Sequence, residues 1–105
     1  MVDYSFQVKS ARSSEDESLA VTGDLEQLGW WGLAGYHSLE WVEGSNEWRS
    51  PSALSAPLGV SLSWKIVSLK SEGGIDRWEP NRHREAVLTP PIMTTDRLLL
   101  KGLWR

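Results

Sequence analysis

The clearest structural pattern in the sequence is VSLSWKIV, residues 60–67. Its even-numbered residues are all apolar, and three of its four odd-numbered residues are polar. Successive side chains of a β-strand point to opposite faces, so this alternation predicts a strand with one buried face. Trp64 is therefore expected in the core, and Lys65 is expected on the outer face.

Shorter runs with the same character lie on both sides of this strand. Turn residues such as glycine and proline separate them, and no segment keeps a helical period for three turns. Strands are expected at residues 4–9, 19–22, 36–41, from Trp48, at 75–79, at 85–89 and from Leu98. About seven to eight strands in a row predict an all-β protein, folded as an antiparallel sandwich.

Length and composition limit the function classes. The chain has 105 residues, a net charge of −3 and no cysteine, so we expect one domain without disulfides or thiolate-bound metal. The acidic balance argues against nucleic acid as a partner. The longest apolar runs are only a few residues, too short to span a membrane, and the first ten residues lack the apolar core of a secretory signal.

Catalytic patterns are weak. The two histidines, His37 and His83, belong to no metal or nucleophile motif, and the sequence has no glycine-rich phosphate loop. A pair of carboxylates across a deep cleft is not expected in so short a sandwich. The sequence therefore predicts a binding protein that is not an enzyme and needs no cofactor or metal.

Tryptophan is the unusual residue. There are seven tryptophans but one phenylalanine and two tyrosines, more indole than a core of this size needs. Trp30 and Trp31 follow Gly29 in a turn, where two successive indoles are not easily both buried. An exposed indole can stack on the apolar face of a sugar ring, while Lys65, Glu79 and Asn81 supply partners for hydroxyls. The alternative is that all seven pack in the core or at its rim.

Several motifs together resemble one known family. They are VTGDLEQLGWW at residues 21–31, Trp48, WKIV at 64–67, IDRWEPNR at 75–82 and LWR at 103–105. In this order and spacing they resemble the starch-binding domains, the family-20 carbohydrate-binding modules. The resemblance covers residues 19–105, while residues 1–18 hold the first strand and an acidic loop. We therefore expect residues 1–105 to be a single module.

The resemblance implies a fold and a ligand class. Members of the family have an antiparallel, immunoglobulin-like β-sandwich and bind α-1,4-glucans such as starch, glycogen, malto-oligosaccharides and cyclodextrins. They are usually attached to a catalytic domain, such as an amylase, glucanotransferase, glucan phosphatase or dikinase. We therefore expect a non-catalytic module that tethers a linked enzyme to polysaccharide.

The resemblance also implies a sugar site. Its two stacking tryptophans match Trp31 and Trp78, its lysine matches Lys65 and its glutamate matches Glu79. Its asparagine matches Asn81, although an ungapped alignment places His83 there instead.

The sequence departs from the family pattern elsewhere. The tyrosines of the second family site are missing, which puts that site in doubt. Trp41 either replaces them as a stacking ring or packs in the core. Trp30 replaces a small or polar residue, and either extends the platform or covers the core.

Two other functions remain open. An exposed tryptophan patch also suits a protein partner, so the same sandwich can serve as a protein-interaction module that has lost glucan binding. A single-strand nucleic-acid binder would use Arg82, Arg84 and the indoles, but the net charge opposes it. The lack of a signal and of cysteine slightly favours an intracellular location, in cytosol or plastid, over secretion.

Overall fold

The computed structural model describes residues 2–10, 18–32, 35–72, 74–79, 83–88 and 98–104. Within these residues the chain forms ten strands and one 3-10 turn, Glu26–Trp31, which we call the tryptophan turn. The strands are β1 Val2–Lys9, β2 Ser18–Gly23, β3 His37–Ser38, β4 Glu40–Val42, β5 Glu47–Arg49, β6 Leu54–Ala56, β7 Ser61–Leu69, β8 Ile75–Trp78, β9 Arg84–Val87 and β10 Leu98–Leu103.

The strands form two sheets that pack as a sandwich. The first sheet has the order β10-β1-β5-β4, with β6 also paired to β1, and the second has the order β3-β2-β7-β8, with β9 also paired to β7. Buried side chains from both sheets meet in one core cluster, in which Phe6 of β1 lies 4.9 Å from Trp64 of β7 between ring centroids. The predicted all-β sandwich is confirmed.

One strand pair departs from the antiparallel pattern. β10 runs parallel to β1, with a register from Tyr4↔Leu98 to Lys9↔Leu103. All other pairings among the described strands are antiparallel. The parallel pair places the last described strand at the edge of the first sheet, beside the first strand of the chain.

The strand predicted at residues 60–67 is confirmed as β7, the centre of the second sheet. Leu62, Trp64 and Ile66 are buried in the core, whereas Lys65 is only half-buried. β2 pairs with one edge of β7, while β8 and β9 pair with successive halves of its other edge. The central position of β7 explains why its pattern is the most regular in the sequence.

The single strand predicted at residues 36–41 is wrong. The segment forms β3 in the second sheet and β4 in the first sheet, so the chain crosses the sandwich between Ser38 and Glu40. Leu39 is buried at the crossing, and its backbone N–H donates to the Leu19 carbonyl at 3.0 Å. An isolated apolar residue between polar neighbours looks the same in a strand and in a crossing, which is why alternation did not separate them.

The remaining differences concern short elements. β6 was not predicted, because Leu54–Ala56 is too short to show alternation. Pro51 lies just beyond the end of β5. The predicted acidic loop falls mostly on residues 11–17, which lie outside the described residues. In the described part of the chain, no helix has the length and apolar character needed to cross a membrane.

The tryptophans differ in how far they are exposed. Trp48, Trp64 and Trp104 are buried, whereas Trp30 is 64% exposed and Trp78 is 38% exposed. The interpretation that all seven belong to the core and its rim is therefore wrong for Trp30. The fold keeps some indoles inside the sandwich and presents others to solvent.

Candidate functional site

The tryptophan turn has an unusual backbone. Gly29, Trp30 and Trp31 have φ values of 81°, 52° and 63°, three consecutive residues in the left-handed region. Glycine adopts this conformation freely, but other L-residues pay about 1–2 kcal/mol each. Strain of this kind persists only where the surroundings impose it, and it clusters at binding sites. Here it leaves Trp30 exposed and Trp31 half-buried.

Buried contacts hold the turn against the second sheet. The Leu28 side chain is fully buried, and its carbonyl accepts a hydrogen bond from Thr22 Oγ1 at 3.1 Å. The Asp24 carboxylate accepts from the Ser63 backbone N–H at 2.9 Å. Gly23 allows this approach, because a Cβ there would lie 2.4 Å from the Ser63 carbonyl oxygen. The turn is thus fixed to β7 through backbone and side chain.

A second anchor reaches the first sheet. The Gln27 side-chain amide accepts from the Tyr4 hydroxyl at 2.5 Å and donates to the Ser55 carbonyl at 2.6 Å. Burial raises the pKa of Tyr4 to about 12, so its hydroxyl stays protonated and keeps donating. Tied to both sheets, the turn gives its tryptophans a rigid base.

The predicted stacking residues come together. The rings of Trp31, from the tryptophan turn, and Trp78, from the end of β8, lie 6.4 Å apart between centroids with 33° between their planes. We call these two residues the indole pair. The His83 ring lies 4.4 Å from Trp31 at 31°, close to a stacked arrangement. Three rings from three chain segments thus form one continuous aromatic surface.

Lys65, a half-buried residue of β7, lies beside the indole pair. Its ammonium donates to the Glu79 carbonyl, with 3.0 Å between Nζ and the oxygen. An ammonium has three N–H donors, so this bond leaves others for a ligand. The hydrogen bond also ties the side chain to the residue that follows Trp78, which fixes the ammonium near that ring.

Glu79 is placed differently from its prediction. Only 5% of the residue is exposed, and its Oε1 accepts from the Ile66 backbone N–H at 3.1 Å and from Arg84 Nε at 3.0 Å. Its Oε2 accepts from Arg84 Nη2, also at 3.0 Å. Both oxygens therefore have partners inside the protein. Glu79 stabilises the site from within, and its contact with a sugar hydroxyl stays a prediction.

Sequence reasoning missed the structural role of Arg84. Besides its bidentate bond to Glu79, its Nη2 donates to the Leu103 carbonyl at 3.1 Å, and its guanidinium lies 5.5 Å from the Trp64 ring. Gly102 instead leaves room for the core, because a Cβ there would lie 2.9 Å from Ile66 Cδ1 and 3.3 Å from the Trp64 ring. No local motif signals this role, since the partners come from β7, the end of β8 and β10.

The remaining predicted site residues are His83, Asn81, Trp41 and Trp30. His83 stacks on Trp31, and Asn81 lies outside the described residues, so which of the two fills the asparagine position stays open. Trp41 is half-buried on β4, with its ring 5.3 Å from Trp48 and packed against the core. Its role in a second sugar site stays a prediction. Trp30 lies in the same turn as Trp31, but its side chain is exposed to solvent.

Comparison with known proteins identifies the family. The model of the starch-binding domain family matches residues 1–96 of the chain. The chain therefore belongs to the starch-binding domains, the family-20 carbohydrate-binding modules, as its motifs indicated. It is a non-catalytic carbohydrate-binding module, and the match includes the first strand, where the motif resemblance was silent.

Solved structures support the fold. A family-20 module of a maltotetraose-forming amylase from Pseudomonas saccharophila has a TM-score of 0.74 and 16% identity, with 98% of this chain and 100% of that chain covered. A family-15 glucoamylase from Hypocrea jecorina gives 0.81 and 16%, covering 99% of this chain and 17% of that one. A γ-cyclodextrin glucanotransferase from alkalophilic Bacillus clarkii gives 0.77 and 20%, with 99% and 15% covered. The chain thus spans less than a fifth of the length of these two enzymes.

Proposed function

We propose that the indole pair is a stacking platform for α-1,4-glucan, such as starch, glycogen or malto-oligosaccharide. The observation that carries this proposal is the convergence of Trp31 and Trp78, 6.4 Å apart on separate segments. Two exposed or half-exposed indoles held this close by a strained turn contribute nothing evident to the core. The family membership supplies the ligand class, and the geometry supplies the surface.

The tilt between the rings suits a curved chain. An α-1,4-glucan coils, so the apolar faces of successive sugar rings turn relative to each other. Two plates with 33° between their planes can each lie flat against one ring of such a chain. A flat glucan would match a coplanar pair better, so the tilt favours the α-linked polymer.

Polar groups around the rings would hold the sugar hydroxyls. The Lys65 ammonium keeps free donors beside Trp78, and the His83 imidazole offers a ring nitrogen beside Trp31. Asn81 remains proposed for the same role. The surface is shallow, and only a few ligand atoms would be buried, so we expect micromolar to millimolar affinity. The ligand is neutral, so the affinity should change little with salt.

We further propose that the module acts for a linked catalytic domain. Proteins of similar structure include a glucoamylase and a glucanotransferase in which a domain of this fold is part of a much longer chain. A module bound to polysaccharide would hold the attached enzyme near its substrate and raise the effective concentration. Catalysis would then reside wholly in that other domain.

A binding comparison tests the platform. We expect Trp78→Ala to weaken binding of maltoheptaose by about tenfold or more, because a stacking contact and its excluded water are lost. The matched control is Leu58→Ala, which removes another exposed apolar side chain, near the opposite end of β9. Isothermal titration calorimetry measures both affinities, and circular dichroism confirms that both variants remain folded.

Two outcomes would count against the proposal. Equal weakening in both variants would mean that the effect is not specific to the platform. A folded wild-type protein with no heat of binding at millimolar maltoheptaose would indicate that this chain has lost the glucan function. The exposed Trp30 and Trp78 would then favour a protein partner at the same surface.

A further inference from the structure

A cavity lies at the edge of the sandwich, and its lining includes neither residue of the indole pair. It has a volume of about 350 Å³ and lies between β1, β10 and the start of β9. Its lining consists of Gln7, Lys9, Arg84, Lys101, Gly102 and Leu103. Half of these residues are cationic and none is acidic, which is unexpected in a chain with a net charge of −3.

The parallel pairing of β1 and β10 brings the lysines together. Even-numbered Phe6 and Val8 of β1 are buried, so Gln7 and Lys9 lie on the outer face. The register pairs Gln7 with Lys101 and Lys9 with Leu103, which places the two lysines as diagonal neighbours on that face. Diagonal neighbours on one face of a sheet are within reach of long side chains.

One acid, Glu47, lies beside the lysines. It accepts two bonds from Arg49, at 2.8 Å and 3.1 Å, and forms an ion pair with Lys9 at 3.9 Å. Hydrogen bonds from Gln7 and Arg49 lower the pKa of Glu47, so this acid is already well satisfied. In the described part of the chain, Lys101 has no ion pair. One carboxylate thus serves both Lys9 and Arg49, which leaves an excess of positive charge beside the cavity.

We propose that this cavity binds a phosphate monoester. The two lysines would bind the dianion through charge-assisted hydrogen bonds. The volume exceeds that of a phosphate group and leaves room for an attached sugar ring against the exposed Leu103 side chain. The ester is carried either by a free sugar phosphate or by a phosphorylated glucosyl unit of the polysaccharide.

The cavity and the indole pair are connected by contacts of Arg84 and its neighbours. Arg84 lines the cavity, and its neighbour His83 stacks on Trp31. Arg84 also bonds Glu79, whose carbonyl holds Lys65. A phosphorylated glucan seated on the indole pair would therefore pass close to the cationic cavity. This second form of the inference rests on the proposed function, whereas binding of a free ester does not.

The test uses glucose 6-phosphate and a matched pair of lysine variants. Backbone amide signals in ¹H–¹⁵N spectra are followed during titration with glucose 6-phosphate and, separately, with glucose. We expect shifts at Gln7, Lys101 and Leu103 with the phosphate ester only, weakening as salt increases. Lys101→Met should weaken this binding by about fivefold or more, because one charge-assisted contact is lost. Lys70→Met makes the same charge change in the β7–β8 turn and should have no effect.

The outcomes separate the possible ligands. No shift at millimolar ester, or an equal loss in both variants, would overturn the inference. If glucose 6-phosphate binds, the affinities for maltoheptaose and for phosphorylated maltoheptaose are then compared. A preference for the phosphorylated glucan that disappears in Lys101→Met identifies the polymer as the source of the ester. The absence of such a preference identifies the free ester as the ligand. β-Cyclodextrin binding, measured in parallel, should survive in Lys101→Met, so failure of this cavity is distinguishable from failure of the indole pair.

Discussion

Trp64 and Trp31 are the same residue type in two contrasting regions. Trp64 is 3% exposed on β7, surrounded by core side chains such as Phe6. Trp31 lies in a left-handed turn at the surface, with Trp78 and His83 as ring neighbours. The first ring stabilises the sandwich, and the second is held out from it. Indole count alone therefore says nothing about role; the backbone that carries each indole decides it.

β7 and the tryptophan turn also differ in what they contribute to stability. β7 has ordinary strand geometry and gains stability from burial, about 25 cal/mol per Å² of apolar surface. The tryptophan turn loses stability through two left-handed tryptophans, Trp30 and Trp31, and leaves Trp30 in water. A region that costs folding energy and exposes aromatic surface is typical of a binding site. The predictions that follow are ways to change one region without the other.

The largest effect is expected in the core. Trp64→Ala should lower the free energy of unfolding by about 3–5 kcal/mol, because a large buried ring is replaced by a cavity. Urea denaturation followed by circular dichroism measures the loss. An unfolding free energy within about 1 kcal/mol of wild type would contradict the assignment of Trp64 to the core.

The next effect concerns the ion pair between the two regions. Glu79→Gln should lower the free energy of unfolding by about 1–3 kcal/mol, because the buried bidentate partner of Arg84 loses its charge. The control is Glu85→Gln, the exposed acid on β9, which should change stability by less than about 0.5 kcal/mol. If both variants lose the same free energy of unfolding in urea denaturation, the carboxylate of Glu79 does not hold Arg84 inside the protein.

A smaller effect is expected at Trp30. Trp30→Gly should be more stable than Trp30→Ala by up to about 1 kcal/mol, since glycine accepts a positive φ and alanine does not. Thermal denaturation of the two variants isolates the backbone term, because both lack the indole. Equal stability would mean that the turn relaxes to another conformation once the ring is gone. Glucan affinity of the same variants tells whether Trp30 extends the platform.

The smallest effect is a pH dependence from His37. Burial lowers the pKa of His37, whose Nε2 lies 2.8 Å from Ser50 Oγ. The unfolded state therefore takes up this proton first as pH falls below about 6.5, and stability is lost on acidification. His37→Gln should flatten that part of the stability curve between pH 7 and pH 5.

The sequence predicts regular strands better than the site. The alternation of residues 60–67 and the run at 4–9 found β7 and β1, because a half-buried strand leaves a period of two. The crossing at Leu39 was missed, since it carries no period. These outcomes follow from what a local pattern can and cannot encode.

The site was predicted through family motifs, not through periodicity. The structure brings Trp31 and Trp78 together and ties Lys65 to the residue after Trp78, while their role in sugar binding stays a prediction. The internal role of Glu79 could not be predicted, since its carboxylate also accepts from Ile66 of β7 and its partner Arg84 also donates to Leu103 of β10. Contacts between distant segments leave no trace in a local pattern.

The most direct test of the account follows the indole N–H signals during titration with β-cyclodextrin. Each of the seven tryptophans has one such signal in a ¹H–¹⁵N spectrum, and single Trp→Phe variants assign them. We expect the signals of Trp31 and Trp78 to shift with saturation, while those of Trp48, Trp64 and Trp104 stay in place. Saturable shifts confined to Trp41, or no shift in a folded protein at millimolar ligand, would contradict the claim that the indole pair is the glucan platform.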